Sequence, residues 1–406
     1  MIIQRKPPRY PRRGPSCLLV IFVIFGIAVS LYVIQNAEEV RSAIIPTPTA
    51  EPTRSATEFA VLAELSRADG SNDEAIGFYE QAIAGDATNP EFYIRIVDLL
   101  VRQNRSQDAV ARAEQATVLD PENDAVWTAA AAAYMAEGDR LSDLGDTNAA
   151  NLQYANAVQA ARKAITINPN NATALAYAAG GTVLQGDPDK YEQAQLFADD
   201  AVRIDPNNAI ARYYMATVFT YQGRYTEAAE QYQLGLETDP TNTDLYIGLA
   251  YNFYGTGNTS EAILTFEDAL AVDPENAEAF DGRAYMFLQL GDAPEAEKNA
   301  LEAVRINPNV ARAQGRLGEA YFQQNNYPDA IVALEEAVRL YGGATELNAR
   351  FFNMLASAYI RRDLNDCSLA VPLFEQVLDV TTNELIVASA NEGLLECRRA
   401  TLGSEP

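Results

Sequence analysis

"DPNNAIARYYMATVFTYQGRYTEAAEQYQLGLETDP", Asp205 to Pro240, begins and ends on the same dipeptide. The return is a period. Pro206, Pro240, Pro274 and Pro308 follow one another at steps of 34 residues, preceded by Asp205, Asp239, Asp273 and Asn307. Within each step two helical patterns, each about a dozen residues long, are divided by Gly223, Gly257, Gly291 or Asn325. Those residue types tolerate φ > 0, which ends a helix and turns the chain. The proline closes the second helix, because it has no N–H to continue the hydrogen-bond ladder. Each unit therefore reads as a helical hairpin.

The inward positions need matched sizes. First helices carry an apolar, a small and an aromatic residue in turn, as in Met215, Ala216 and Phe219, then Leu249, Ala250 and Phe253. Second helices carry Ala228, Tyr232 and Gly235, then Ala262, Phe266 and Ala269. Such spacing keeps one face inward, and small residues let two axes approach while aromatics fill the groove so left. With its 34-residue period and this alternation of small and aromatic positions, the chain resembles the tetratricopeptide repeat family. The pattern extends to Phe59, Leu62, Ala63, Ala75, Tyr79 and Ala82, and to Tyr93, Ile96, Val97, Leu100, Ala109 and Ala116. A third unit, 124–171, is 14 residues too long, and a ninth is marked by Leu355, Ala356, Tyr359, Ala370 and Phe374.

The resemblance implies an all-α, right-handed solenoid of about nine hairpins with a concave groove, lined by first helices, that binds peptides or proteins. Tyr213, Tyr221, Tyr251, Tyr254, Tyr285, Leu288, Glu319 and Phe322 stand at first-helix positions that point away from the partner helix. Aligned, they would form an aromatic stripe offering contact area at low rotamer cost; the competing reading is that they only pack on the next repeat. The cations with which some family members clamp a terminal carboxylate are replaced here by Ile247, Tyr251 and Asp281. In the third unit the extra residues are expected to lengthen both helices by about two turns, roughly 10 Å, around a turn near Leu144 to Asn148, making a projecting knuckle.

The N-terminus differs. "CLLVIFVIFGIAVSLYVI", Cys17 to Ile34, is an uncharged apolar run of 18 residues, about 27 Å as a helix, and is expected to be a transmembrane helix over 17–35. Arg5, Lys6, Arg9, Arg12 and Arg13 precede it while Glu38 and Glu39 follow, which places the tail 1–16 in the cytoplasm and the remainder across the membrane. A cleaved signal peptide is the competing reading, against which stand the length of the run and the poor exit at Gln35-Asn36-Ala37. The segment 36–56 alternates Pro with Thr and reads as a semi-rigid linker to a repeat array over 57–383, with a capping helix and tail over 384–406.

Net charge is −26, and removing the five N-terminal cations leaves the exported part at −31. Such a surface repels phosphate backbones, so no nucleic acid is expected as a partner. The chain has no histidine, and its carboxylates recur with the repeat as structural groups would, so neither enzyme chemistry, metal nor cofactor is expected. Cys367 and Cys397 form the one pair in the exported part. If the chain turns at Thr381 to Asn383, the two face each other across an antiparallel pair, which predicts a disulfide stapling the terminal cap; two free buried thiols are the alternative. Two functions fit: a membrane-anchored extracytoplasmic scaffold that binds proteins in its groove, or an envelope assembly factor handling a polysaccharide or its synthase. The oligomeric state is left open.

Overall fold

The computed structural model describes residues 17–36 and 54–403. The chain divides into two units, 1–55 and 56–406. In the first, helix α1, Cys17–Gln35, has 19 residues and no charged side chain. Phe22 and Phe25 are among the many apolar side chains exposed along it. No helix among the described residues is long and apolar enough to cross a membrane. At the expected transmembrane segment, 17–35, the described residues show an uncharged apolar helix. The basic tail and most of the 36–56 linker lie outside the described residues.

The second unit is helical throughout its described residues and built of nine hairpins. Their first and second helices are α2 Ala56–Ala68 and α3 Asn72–Gly85, α4 Pro90–Arg102 and α5 Ser106–Leu119, and α6 Asp124–Asp143 and α7 Thr147–Ile167. Next come α8 Ala172–Val183 and α9 Tyr191–Ile204, α10 Ala209–Tyr221 and α11 Tyr225–Thr238, and α12 Thr243–Gly255 and α13 Thr259–Val272. The last three are α14 Ala277–Leu290 and α15 Ala293–Ile306, α16 Ala311–Gln323 and α17 Tyr327–Tyr341, and α18 Ala349–Arg362 and α19 Cys367–Val380. Helix α20, Glu384–Gly403, packs on α18 and α19 as a cap.

The periodic residues do what their chemistry allows. Gly223, Gly257, Gly291 and Asn325 all take φ between 60° and 80° at the hairpin turns. Asp205, Asp239, Asp273 and Asn307 each cap the end of a second helix, and their side-chain oxygens accept from the N–H two residues on, at 3.1 to 3.2 Å. Asn208, Asn242 and Asn276 then cap the following first helices. The Asp or Asn before each proline is thus a helix-end group that satisfies the turn's backbone donors.

Size matching joins one hairpin to the next. Tyr232 of α11 lies on Gly248 of α12, and Phe266 of α13 lies on Gly282 of α14, where a methyl group would sit 2.5 and 2.4 Å from the rings. From α4 onward each first helix touches the next first helix, whereas no pair of successive second helices is packed to a similar extent. The stack is therefore wedged, with first helices on the inside of the curve.

Two departures from the period matter. Helices α6 and α7 have 20 and 21 residues, against 12 to 15 in the other hairpin helices, with Gly145 at the tip in the left-handed region at φ 78°. At the far end Cys367 and Cys397 are disulfide-bonded, with Cα atoms 5.5 Å apart, which ties α20 to the start of α19.

Candidate partner-binding groove

Of the eight residues expected in the groove, seven keep some exposure on first helices and one does not. Leu288 is only 4 % exposed and packs with Ala296 and Ala320, so its place in the stripe is corrected to the core between hairpins. The tyrosines are held edge-on by neighbouring rings. Tyr213 lies 5.0 Å from Tyr214 and 5.9 Å from Tyr232; Tyr221 is 6.0 Å from Tyr191, and Tyr251 is 5.2 Å from Phe266. Phe322 is 5.5 Å from Tyr327. Tyr254 and Tyr285 join successive first helices, with rings 5.4 Å apart and hydroxyls at 3.2 Å. Glu319 has its carboxylate 3.3 Å from the Arg350 guanidinium. The expected stripe is thus a set of partly buried rings held by neighbouring side chains, with Glu319 paired to Arg350 beside them.

The structure adds a feature absent from the sequence-based site. At the end of α6, Asp143 Oδ1 accepts from Arg312 Nη1 at the start of α16, at 2.6 Å and across 169 residues of chain. Arg312 Nε also donates to Asp281 Oδ2 at 2.7 Å, and Arg316 Nη1 reaches the same carboxylate oxygen at 2.6 Å. Asp281 is 1 % exposed. The turn at Gly145 packs on the segment before α18, where a methyl group at Gly145 would meet Thr345 Oγ1 at 2.6 Å. The lengthened third hairpin therefore spans the inside of the curve and rests on the eighth and ninth.

Beneath its tip is a cavity of about 400 Å³, lined among others by Asp143, Tyr285, Arg312, Arg316, Tyr341 and Arg350. The Arg316 guanidinium stacks 4.6 Å from the Tyr285 centroid, and that of Arg350 lies 4.4 Å from the Phe351 centroid. A signal for this cluster did exist in the sequence. The position held by Asp244 and Glu278 in consecutive units reverses its charge at Arg312, one period later.

The acids facing the hairpin are shifted by the crowd of neighbouring walls and charges, although the Glu278 and Asp139 side chains stay exposed at their tips. Desolvation between the walls, with Asp143, Asp244 and Asp281 nearby and Arg312 opposing, pushes the Glu278 carboxyl up to about 7. Desolvation raises Asp139 likewise to about 7, against the hydrogen bond it accepts from Tyr154 Oη at 2.8 Å. Asp143 is raised for the same reason, with Arg312 pulling the other way. Burial tends to lower Arg312, but Asp281 and Asp143 outweigh it and hold the guanidinium charged. Among the described residues no cluster of carboxylates or thiols is placed to hold a metal ion.

Family models of the tetratricopeptide repeat match residues 66–133 and, elsewhere, 189–243, 247–311 and 287–345, together more than half of the chain. No curated protein matches it. A solved structure of the human IFIT1 dimer with m7Gppp-AAAA is similar over 88% of this chain and 92% of that one, at 16% identity and a TM-score of 0.60. The APC/C hetero-tetramer Cut9-Hcn1 contains a chain similar over 92% of this one and 81% of its own length, at 16% identity and a TM-score of 0.53. At such identities the likeness is one of fold.

Proposed function

The chain belongs to the tetratricopeptide repeat family, and from that premise we propose that it is a membrane-tethered scaffold holding a protein or peptide partner on the inner face of its hairpin stack. One observation carries the reading: Tyr254 and Tyr285, on successive first helices, are locked ring to ring and hydroxyl to hydroxyl while keeping part of their surface free. Preorganised tyrosines offer area and a polar handle without a large ordering cost on binding. The chain's net charge of −26 opposes a nucleic-acid ligand, and the fold-level likeness to IFIT1 does not transfer one.

The proposal extends to location. Five cations before α1 and two acids soon after it support a cytoplasmic N-terminus with the array on the far side. The uncharged length of α1 supports its insertion, and the Cys367–Cys397 disulfide supports an oxidising compartment. Resistance of the intact protein to alkaline extraction, together with protection of the array from protease added to the cytoplasmic side, tests this arrangement. Release by carbonate removes the anchor.

The groove is tested by affinity capture with residues 58–406, beside a variant carrying Tyr251→Ala, Tyr254→Ala and Tyr285→Ala. Partners recovered by the first and lost by the second support the scaffold. Equal recovery removes the groove reading, and retention on glycan with no protein recovered favours a polysaccharide ligand instead.

A further inference from the structure

Arg312 and Arg316 share one buried carboxylate, that of Asp281, and Glu278 stands only at 3.9 Å from Arg312, so their own hairpins supply no second carboxylate at hydrogen-bonding distance. Asp143 supplies it from 169 residues earlier, on a side chain that remains 47 % exposed. The two acids are not equivalent. Asp281 is fixed inside the stack, whereas Asp143 belongs to a hairpin tip that reaches the far hairpins through this pair. At the same cavity Arg316, itself 6 % exposed, keeps its Nε without a partner, and beside Gly145 so does Thr345 Oγ1. Buried donors left unmade cost free energy that an incoming acceptor recovers.

We propose that the third hairpin is a releasable strap, and that Asp143 occupies in cis the oxyanion position that an acidic side chain of a protein partner takes when the groove is loaded. The inference rests on the scaffold reading and names the chemistry of one contact within it. A guanidinium pair on a single carboxylate accepts a second carboxylate in the planar, charge-assisted geometry that arginine favours. The Tyr285, Tyr341 and Phe351 rings around the cavity provide apolar walls for the stem of such a side chain. While Asp143 is seated, the strap covers this part of the inner face. Exchange of one carboxylate for another leaves the charge count unchanged, so opening does not strand Arg312.

Strap position is read by a crosslink. Ser142 and Leu347 both line the cavity and are exposed, so the pair Ser142→Cys and Leu347→Cys, in a full-length chain carrying Cys17→Ser, reports closure through a short bismaleimide. The probe is the blocked tripeptide acetyl-Gly-Glu-Gly-amide, with acetyl-Gly-Lys-Gly-amide as control at equal ionic strength. Crosslinking is expected to be rapid without probe and to slow with the glutamate peptide but not the lysine peptide. It should slow about fivefold when Asp143→Asn is added, and that variant should bind the glutamate peptide about fivefold more tightly. Asp143→Asn is an exposed, near-isosteric change, so loss of fold does not confuse the result. A crosslink slowed by Asp143→Asn but indifferent to the glutamate peptide makes the pair a purely structural one and overturns the proposal. Equal slowing by both peptides does the same. The scaffold reading stands or falls separately, on partner capture by the tyrosine variant.

Discussion

Asp143 and Arg312 meet at 2.6 Å although 169 residues separate them, and the contact exists because one hairpin is two turns longer than its neighbours. In a regular stack each hairpin touches only those beside it. Here α6 and α7 reach past four hairpins to the eighth, so part of the inner face is covered by them. The energetics of the two acids around Arg312 then follow from burial.

Replacing Asp281 should cost far more than replacing Asp143. Asp281→Asn leaves two guanidiniums without their buried acid, a loss of about 3–5 kcal/mol, whereas Asp143→Asn removes a half-exposed partner worth about 1 kcal/mol or less. Chemical denaturation of the array measures both. Equal losses would show that the strap pair is as buried as the inner one.

The acids along the inner face predict an unusual pH dependence, weakened to the extent that Glu278 and Asp139 reach solvent. Glu278 and Asp139 hold their protons up to about 7 in the folded array, whereas their ordinary values are 4.5 and 3.8. Between those limits the folded state binds more protons than the unfolded one, so stability falls as pH rises through the window from about 4 to 7. Glu278→Gln and Asp139→Asn should flatten that slope. A carboxylate titration by carbon-detected NMR that places Glu278 below pH 5 would refute this account of the inner face.

Gly282 tests the inter-hairpin packing. A methyl group there would lie 2.4 Å from the Phe266 ring, and Phe266 is fully buried, so the ring must move. Alanine improves helix propensity by about 1 kcal/mol, but overpacking costs about 1–3 kcal/mol. Gly282→Ala should therefore be net destabilising by calorimetry, and Phe266→Leu should relieve it in the double variant. A more stable Gly282→Ala protein would mean that hairpins six and seven are not seated as described.

Breaking the Cys367–Cys397 link frees a loop spanning 30 residues of sequence, worth about 3–4 kcal/mol of chain entropy. Because hairpins interact with their neighbours, the loss should be local. Hydrogen exchange in α20 should rise after reduction while exchange in α10 to α13 stays unchanged. Uniform loosening of the whole array would contradict nearest-neighbour stacking.

The sequence announced the hairpins because each boundary is a local chemical requirement: a residue tolerating φ > 0 at 223, 257, 291 and 325, and a helix-ending Asp or Asn before proline. It also announced the longer third hairpin and the cysteine pair, both matters of counting along the chain. Leu288 was misread because its spacing fits the groove and the core equally well, and only the neighbouring hairpin's Ala296 and Ala320 decide which side it faces. The Asp143–Arg312 contact depends on accumulated curvature over the four hairpins between, which no local pattern encodes. Its trace was the charge reversal from Asp244 and Glu278 to Arg312 at one repeated position.

The most direct test of the strapped groove is a pulsed electron-electron distance between spin labels at Ser142 and Leu347 in the full chain. A single narrow distribution near the short limit of the method is the predicted result, since both positions line one cavity. A broad distribution extending past the length of α6, about 30 Å, would contradict it and leave the third hairpin a free projection.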